Sequence, residues 1–139
     1  MPKKPYIKIW LILLALLAML LLAITACAPS QPKELSVDKS YSGKEVNLAP
    51  SGTLTISLVS NPSTGYSWDK EADISDPSVI EQTSHDYEAS KVPVVGAPGL
   101  QVWTFKALGP GTSTISMQYK SPTVSSKAAE SYSLTVNVK

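Results

Sequence analysis

The chain has 139 residues, one histidine, one cysteine and a formal net charge of +1, with 12 basic residues (all lysine) against 11 acidic ones. This composition excludes an internal disulfide, offers no convincing zinc ligand set and argues against nucleic acid as a partner, because neither arginine nor a basic stripe is available. No glycine-rich phosphate loop occurs, so no cofactor is expected.

The chain begins with a segment that predicts export from the cytoplasm. Basic residues up to Lys8 are followed by an entirely apolar run from Ile9 to Ile24 and then by small residues. This order describes a secretory signal, which we expect to span residues 1–26. An uncleaved membrane anchor is the alternative, although the apolar run is shorter than the ~20 residues of a spanning helix.

Cys27, the chain's single cysteine, follows two small residues in an arrangement that resembles a bacterial lipobox. Residues 27–42 are therefore expected to provide a lipidated cysteine and a flexible tether, and residues 43–139 the folded domain. Lipoprotein and uncleaved anchor both place this domain outside the cytoplasmic membrane. Without the three lysines of the leader, nine lysines remain against 11 acidic residues, which is a net charge of −2.

The remainder of the chain predicts short β-strands. Apolar and polar residues alternate in segments around residues 46–48, 53–60, 79–82, 102–108, 112–119 and 132–138. Such alternation is typical of strands with one buried and one solvated face, and the Gly and Pro residues between them favour turns. We therefore predict one all-β domain, an antiparallel β-sandwich, with a long loop from Ser84 to Pro98.

The segment from Asn61 to Trp68 (Asn-Pro-Ser-Thr-Gly-Tyr-Ser-Trp) directly follows the strand predicted at 53–60. Pro62 fixes its own φ and favours an extended Asn61, and Gly65 permits a positive φ. The pattern predicts a stiff loop with small hydroxyl groups at its tip, which would lose little entropy on entering another protein's cleft. An ordinary hairpin turn is the alternative.

The aromatic and titratable residues divide into structural and ambiguous groups. Trp103 and Phe105 lie on a predicted strand, and Trp68 lies where the Asn61–Trp68 loop returns into a further strand. All three are expected in the core, whereas Tyr66 could support the loop or touch a partner. His85 is expected to be a solvated loop residue, and the acidic residues between positions 69 and 76 lack the spacing of a calcium loop. No nucleophile elbow surrounds any serine, so the chain is not expected to be an enzyme.

The Asn61–Trp68 segment, residues 95–107 (Val-Gly-Ala-Pro-Gly-Leu-Gln-Val-Trp-Thr-Phe-Lys-Ala) and residues 109–119 stand in consistent order between about Lys44 and Lys139. In this they resemble the chagasin family of inhibitors of papain-like cysteine peptidases. The resemblance implies an immunoglobulin-like sandwich that inhibits such an endopeptidase reversibly, as a monomer, by inserting three loops into the active-site cleft.

The resemblance also implies which residues meet the peptidase. The first loop would enter the cleft near the catalytic cysteine, the second would lay its backbone along the non-primed side, and the third would grip the primed side. The implied peptidase-binding residues are Asn61, Pro62, Ser63, Thr64, Gly65, Tyr66, Gly96, Ala97, Pro98, Gly99, Leu100, Ser121, Pro122 and Thr123.

The third loop departs from the family pattern Tyr-x-Arg-Pro-Trp. After Tyr119, Ser121 stands in place of the arginine and Thr123 in place of the tryptophan. Arg and Trp often carry binding hot spots, so their absence predicts weaker or more selective inhibition. Two alternatives remain open: a lipid-anchored immunoglobulin-like interaction module without a peptidase target, and an inhibitor of another peptidase class.

Overall fold

A computed structural model describes Trp10 and residues 30–92, 94–121, 123 and 127–139. The lipidation site Cys27 and the third-loop residue Pro122 lie outside these residues, as does the predicted signal apart from Trp10. Within the described part of the chain, no helix has the length and apolar character needed to cross a membrane.

The described residues form β-strands joined by turns, with short 3₁₀ turns at Lys39–Tyr41 and Pro62–Thr64. The strands are β1 Glu34–Val37, β2 Lys44–Leu48, β3 Thr53–Ser60, β4 Ser67–Trp68, β5 Asp73–Ile74, β6 Ile80–Glu88, β7 Gly99–Ala107, β8 Gly111–Lys120 and β9 Glu130–Val138.

The strands form two sheets. One has the order β1-β3-β7-β6, and the other has the order β2-β9-β8-β4, with β5 also paired to β8. The predicted all-β sandwich is confirmed, but its purely antiparallel pairing is wrong, because β1 lies parallel to β3 and β2 parallel to β9. The chain passes from one sheet to the other between β1 and β2, so these two consecutive strands do not form a hairpin with each other.

The apolar face of each strand fills the space between the sheets, as the alternation predicts. Trp68, Trp103 and Phe105 are 3%, 0% and 0% exposed, which confirms their predicted place in the core. The other large side chains with almost no exposure come from both sheets and are Leu48, Leu54, Ile56, Leu58, Ile80, Ile115, Met117, Tyr132, Leu134 and Val136.

Strand β6 is longer than its alternation indicates. It continues to Glu88, so the prediction of a loop from Ser84 to Pro98 is wrong for its first part. Two features hide the strand in the sequence: its second half exposes mostly polar side chains at the edge of the sheet, and the register shifts between Gln82 and Ser84. A bulge of this kind interrupts the period of two by which a strand is recognised.

The ordered domain begins before residue 43. Glu34–Val37 pair with β3. The carbonyl oxygens of Pro32 and Lys33 accept hydrogen bonds from the N–H groups of Ala49 and Thr53, at 2.9 and 2.7 Å. The structure therefore differs from the predicted flexible tether over residues 27–42, because the tether's second half belongs to the sandwich. A strand of four residues carries too little alternation to be recognised in the sequence.

Candidate functional site

Three loops lie at the same end of the sandwich. β3 ends at Ser60, which pairs with Gly99 at the start of β7, so the connection after β3 and the one before β7 are neighbours. The end of β8 pairs both with β4, just after the first connection, and with the start of β9. We call this end the loop pole; it carries loop 1 (residues 61–66) and the described residues of loop 2 (89–92 and 94–98) and loop 3 (121, 123 and 127–129).

Loop 1 largely has the backbone that its sequence predicts. Pro62–Thr64 form a 3₁₀ turn, Asn61 is non-helical with φ −125° and ψ 84°, and Gly65 adopts φ 81°. A residue with a side chain would be strained at this positive φ, so glycine is required there. The local sequence therefore fixes both the entry and the exit of the loop.

Hydroxyl groups close loop 1 on itself. Ser63 Oγ donates to Asn61 Oδ1 at 2.5 Å, and Thr64 Oγ1 donates to the Asn61 carbonyl oxygen at 2.7 Å. The N–H of Tyr66 lies 3.4 Å from Thr64 Oγ1, and residues 62–65 are exposed. The tip presents small side chains that are already ordered, which reduces the entropy lost on binding.

Asn61 joins loop 1 to loop 2. Its Nδ2 donates to the carbonyl oxygen of Gly96 at 2.9 Å. A Cβ built on Gly96, which has φ +80°, would lie 3.8 Å from Ser63 Oγ, so the two loops are in close contact. Because its two side-chain polar atoms bond different loops, Asn61 fixes their relative position.

Tyr119, near the end of β8, supports loop 1 from the other sheet. Its hydroxyl accepts a hydrogen bond from the N–H of Asn61 at 3.2 Å. Its ring centroid lies 5.8 Å from that of Tyr66 and 5.2 Å from that of Trp68. Of the two roles left open for Tyr66, the structure shows the supporting one, because its ring rests on this aromatic cluster.

Loop 3 contacts loop 1 through Ser121. This residue is 1% exposed, and its Oγ lies 3.8 Å from the position that a Cβ on Gly65 would occupy and 3.2 Å from Thr123 Oγ1. The buried Ser121 side chain therefore packs against loop 1 at Gly65, whereas Thr123 is exposed. The preceding Lys120 is held by an ion pair with Asp69 at 2.7 Å.

The predicted residues of loop 2 differ in their exposure to solvent. Gly96 and Pro98 are exposed and Ala97 is half-buried, whereas Gly99 is buried and, like the half-buried Leu100, belongs to β7. A Cβ on Gly99 would collide with the carbonyl oxygen of Glu88 and would lie 2.6 Å from Oη of Tyr87. Gly99 therefore acts by letting β6 and the Tyr87 ring approach closely rather than by surface contact.

The tip of loop 2 carries apolar side chains that were not among the predicted residues. Val92, Val94 and Val95 are 60%, 63% and 104% exposed. Neighbouring exposed apolar side chains offer area that a partner could remove from water. The signal for them in the sequence is an apolar run, Val92 to Val95, within an otherwise polar segment.

His85 lies on β6 and is half-buried, so its predicted place in a solvated loop is wrong. Its ring lies 5.1 Å from that of Trp103, and its Nε2 is 3.0 Å from Nε2 of Gln101. Burial, and after it the charge of Lys70, lower the pKa of His85 below its usual range, against the opposing charge of Asp86.

Two of the acidic residues near β4 and β5, Asp69 and Asp76, have structural partners. In the described part of the chain, no group of three or more His, Cys, Asp or Glu side chains is arranged to hold a metal ion. Asp69 Oδ2 accepts the N–H of Gln118 at 3.0 Å. Asp76 Oδ1 accepts the hydroxyl and N–H of Ser78 at 2.6 and 3.0 Å, which lowers the pKa of Asp76.

The structure is thus a β-sandwich that carries connected loops at one end. The family model described as Chagasin family peptidase inhibitor I42 matches residues 47–138, and the chain belongs to this family. The family consists of peptidase inhibitors and not of enzymes, which supports an inhibitor over an interaction module without a peptidase target. No curated protein matches the chain significantly.

Solved structures share the fold at low sequence identity. The cysteine protease inhibitor EhICP2 from Entamoeba histolytica is 22% identical, with a TM-score of 0.67 over 78% of this chain and 99% of that one. Amebosin is 23% identical, with a TM-score of 0.62 over 76% and 98% of the respective chains. PbICP-C in complex with falcipain-2 is 19% identical, with a TM-score of 0.52 over 81% and 93%. At these identities the likeness establishes the shared fold.

Proposed function

We propose that this protein is a reversible inhibitor of papain-like cysteine endopeptidases and that its three loops enter the active-site cleft. Membership of the chagasin family supports inhibition, and the resemblance to EhICP2 and to PbICP-C bound to falcipain-2 supports a cysteine peptidase as the target. The observation that carries the proposal is the 2.9 Å bond from Asn61 to Gly96, which joins loops 1 and 2 without a partner. A preformed surface loses less free energy to ordering on binding.

Loop 1 would occupy the centre of the cleft, close to the catalytic cysteine. The exposed residues Pro62, Ser63 and Thr64 are small enough to enter a narrow groove, and their backbone is a 3₁₀ turn. A peptidase cleaves a substrate that lies extended in its cleft, whereas a turn does not present a peptide bond in that geometry. The loop could therefore block the cleft without being cleaved.

Loop 2 would lie along the non-primed side. Gly96 and Pro98 offer exposed backbone there, and we add Val94 and Val95 as apolar contacts beside them because they are 63% and 104% exposed. Burial of exposed valine on binding contributes favourably in proportion to the apolar area removed from water. The apolar tip would thus favour peptidases with an apolar non-primed side.

Loop 3 would give a weak grip on the primed side. Ser121 is 1% exposed and Lys120 is paired with Asp69 at 2.7 Å, so neither presents a free side chain of the hot-spot type. Of the third-loop residues that the family pattern implies, the structure describes Ser121 and Thr123. Thr123 is the exposed one, and its side chain is short. Selectivity would therefore come mainly from loops 1 and 2.

The test is a titration of papain, and of a cathepsin L-like peptidase, with the full chain purified in detergent. Hydrolysis of a fluorogenic peptide should fall in a competitive pattern at nanomolar to low-micromolar inhibitor concentration. A serine peptidase treated in the same way is the control. Full activity of both cysteine peptidases at high-micromolar concentration of folded protein would contradict the proposal, and inhibition of the serine peptidase alone would point to another peptidase class.

Replacing Asn61 by alanine is expected to weaken inhibition by about tenfold, because the bond between loops 1 and 2 is lost and the loops must be ordered on binding. The inhibition constant for papain measures this effect. The matched control is Asn47→Ala, since Asn47 is exposed on β2 and pairs with Asn137 at the opposite end of the sandwich. Equal inhibition constants for the two variants would contradict the joining role of Asn61.

The proposal includes an extracytoplasmic lipoprotein, cleaved after residue 26 and lipidated at Cys27, that acts as an immunoglobulin-like monomer. The position of β1 fits an anchor on the N-terminal side of the domain, because Glu34 pairs with Thr53, at the end of β3 opposite the loop pole. An anchor ahead of β1 would leave the loops directed away from the membrane. Incorporation of a labelled palmitate that disappears in the Cys27→Ser variant tests the anchor, and label retained in that variant would contradict it.

A further inference from the structure

Gln101 is a buried polar side chain that completes the free edge of β4. It lies on β7, shortly after loop 2, and is 4% exposed. Its Oε1 accepts the N–H of Trp68 at 2.8 Å, and its Nε2 donates to the carbonyl oxygen of Trp68 at 3.3 Å. The side-chain amide thus provides the two bonds that a neighbouring strand would provide.

These bonds fix the direction of the amide and the protonation of His85. In a side-chain amide the oxygen accepts and the nitrogen donates, so Oε1 must face the N–H of Trp68 and Nε2 must face its carbonyl oxygen. The second hydrogen on Nε2 is then available to Nε2 of His85, which lies 3.0 Å away. A ring nitrogen accepts a hydrogen bond only when it carries no proton, so His85 is neutral, with its proton on Nδ1.

The surroundings of His85 agree with a neutral ring. Burial and the positive charge of Lys70, from the segment between β4 and β5, oppose protonation, and Asp86 on the same strand favours it. The strand packed against β6 contributes Trp103 and Gln101 at this point, and neither side chain titrates. The net effect lowers the pKa of His85 below its usual value of 6.5.

Both flanks of loop 1 depend on Trp68. Its backbone is held by Gln101, and its indole Nε1 donates to the carbonyl oxygen of Val59 at 2.9 Å, just before the loop. Tyr119, whose hydroxyl bonds the N–H of Asn61, packs against the same indole. A shift of Trp68 would therefore alter both the entry and the exit of the loop.

We propose that Gln101 is a positioning residue for loop 1 and that it holds Trp68 in place only while the ring of His85 is uncharged. Protonation would turn Nε2 of His85 into a donor that faces the donor Nε2 of Gln101. The amide would have to rotate to offer its oxygen to His85, and the N–H of Trp68 would then lose its acceptor.

The sign of the pH dependence follows from the neutral folded-state ring. The contribution to stability is complete above the ordinary His pKa of 6.5 and is lost as the pH falls through the lower pKa of folded His85. For inhibition, which rests on the proposed function, loop 1 should bind a peptidase less tightly in acid.

The first measurement follows the amide NMR signals of the full chain in detergent micelles from about pH 4.5 to about pH 8, the range in which histidine titrates. The Trp68 amide should shift along the titration curve of His85. In His85→Phe, which keeps a ring against Trp103, this inflection should be absent, and His85→Gln replaces it if the Phe variant does not fold. A Trp68 amide that does not follow His85 would overturn the proposal.

The second measurement divides the inhibition constant of the wild-type chain by that of His85→Phe at each pH. Because both constants refer to the same peptidase, the pH dependence of the peptidase cancels in this ratio. The ratio should rise by up to about tenfold between neutral pH and the pH at which the NMR titration shows His85 to be protonated, the effect of one lost bond to a buried group. A flat ratio with intact inhibition would overturn the proposal. No inhibition at any pH, with Trp68 still following His85, would overturn the proposed function but support the positioning role.

Discussion

Replacing Trp103 by alanine is expected to remove most of the stability of the domain. The side chain is 0% exposed, and its Nε1 donates to the carbonyl oxygens of Asp69 and Lys70 at 3.2 and 3.1 Å. Removing a buried tryptophan costs about 3–5 kcal/mol, against about 5–15 kcal/mol for the whole free energy of unfolding. The loss should be large because both the cavity and the two released carbonyls contribute to it.

Urea denaturation followed by circular dichroism measures this change. Leu108→Ala is the control, because Leu108 is 48% exposed and its truncation should alter the free energy of unfolding by less than about 0.5 kcal/mol. A Trp103→Ala variant that loses less than about 1 kcal/mol would contradict the central place of this residue in the core.

Replacing Thr64 by tyrosine should weaken inhibition of papain by at least about thirtyfold, the scale of a binding hot spot of ~2 kcal/mol. Thr64 is exposed at the tip of loop 1, where a large ring would prevent close approach to a narrow cleft. The change also removes the 2.7 Å bond from Thr64 Oγ1 to the Asn61 carbonyl oxygen. The fold should remain intact, because none of the core depends on this side chain.

The matched control is Thr112→Tyr, because Thr112 is exposed on β8 and pairs with Asn137 at the end opposite the loop pole. It should inhibit like the wild-type chain. The near-ultraviolet circular dichroism of both variants should keep the tryptophan signal of the folded domain. If Thr64→Tyr keeps full inhibition while folded, loop 1 does not enter the cleft.

The centre of the fold could be predicted from the sequence, and its edges could not. β3, β7 and β9 lie between other strands and bury one face, so their alternation is complete over Thr53–Ser60 and Gly99–Ala107 and, in β9, from Tyr132 to Val138. The edge strands β1 and β6 are short or interrupted, so their period of two is weak. The parallel pairing of β1 and β2 depends on how the chain crosses between sheets, which local patterns do not encode.

The loops of the site could be located from local residues, but not their connections. Pro62 and Gly65 act on their own backbone angles, so the shape of loop 1 follows from its sequence. The partners of Asn61, Ser121 and Gln101 are distant in the chain, and no local pattern indicates them. For the same reason the role of His85 could not be predicted, because its neutral ring depends on its contact with Gln101, which lies 16 positions away in the chain.

The claim that the loop pole fills a peptidase cleft is tested most directly by the rate at which a peptide-based alkylating probe labels the catalytic cysteine of papain. At a concentration of the wild-type chain a few times its inhibition constant, labelling should slow to the rate set by the remaining free enzyme, and the same concentration of Thr64→Tyr, which should bind at least about thirtyfold more weakly, should slow it far less. An unaltered labelling rate in a complex isolated by gel filtration would contradict it, because the probe would then still have access to the cleft.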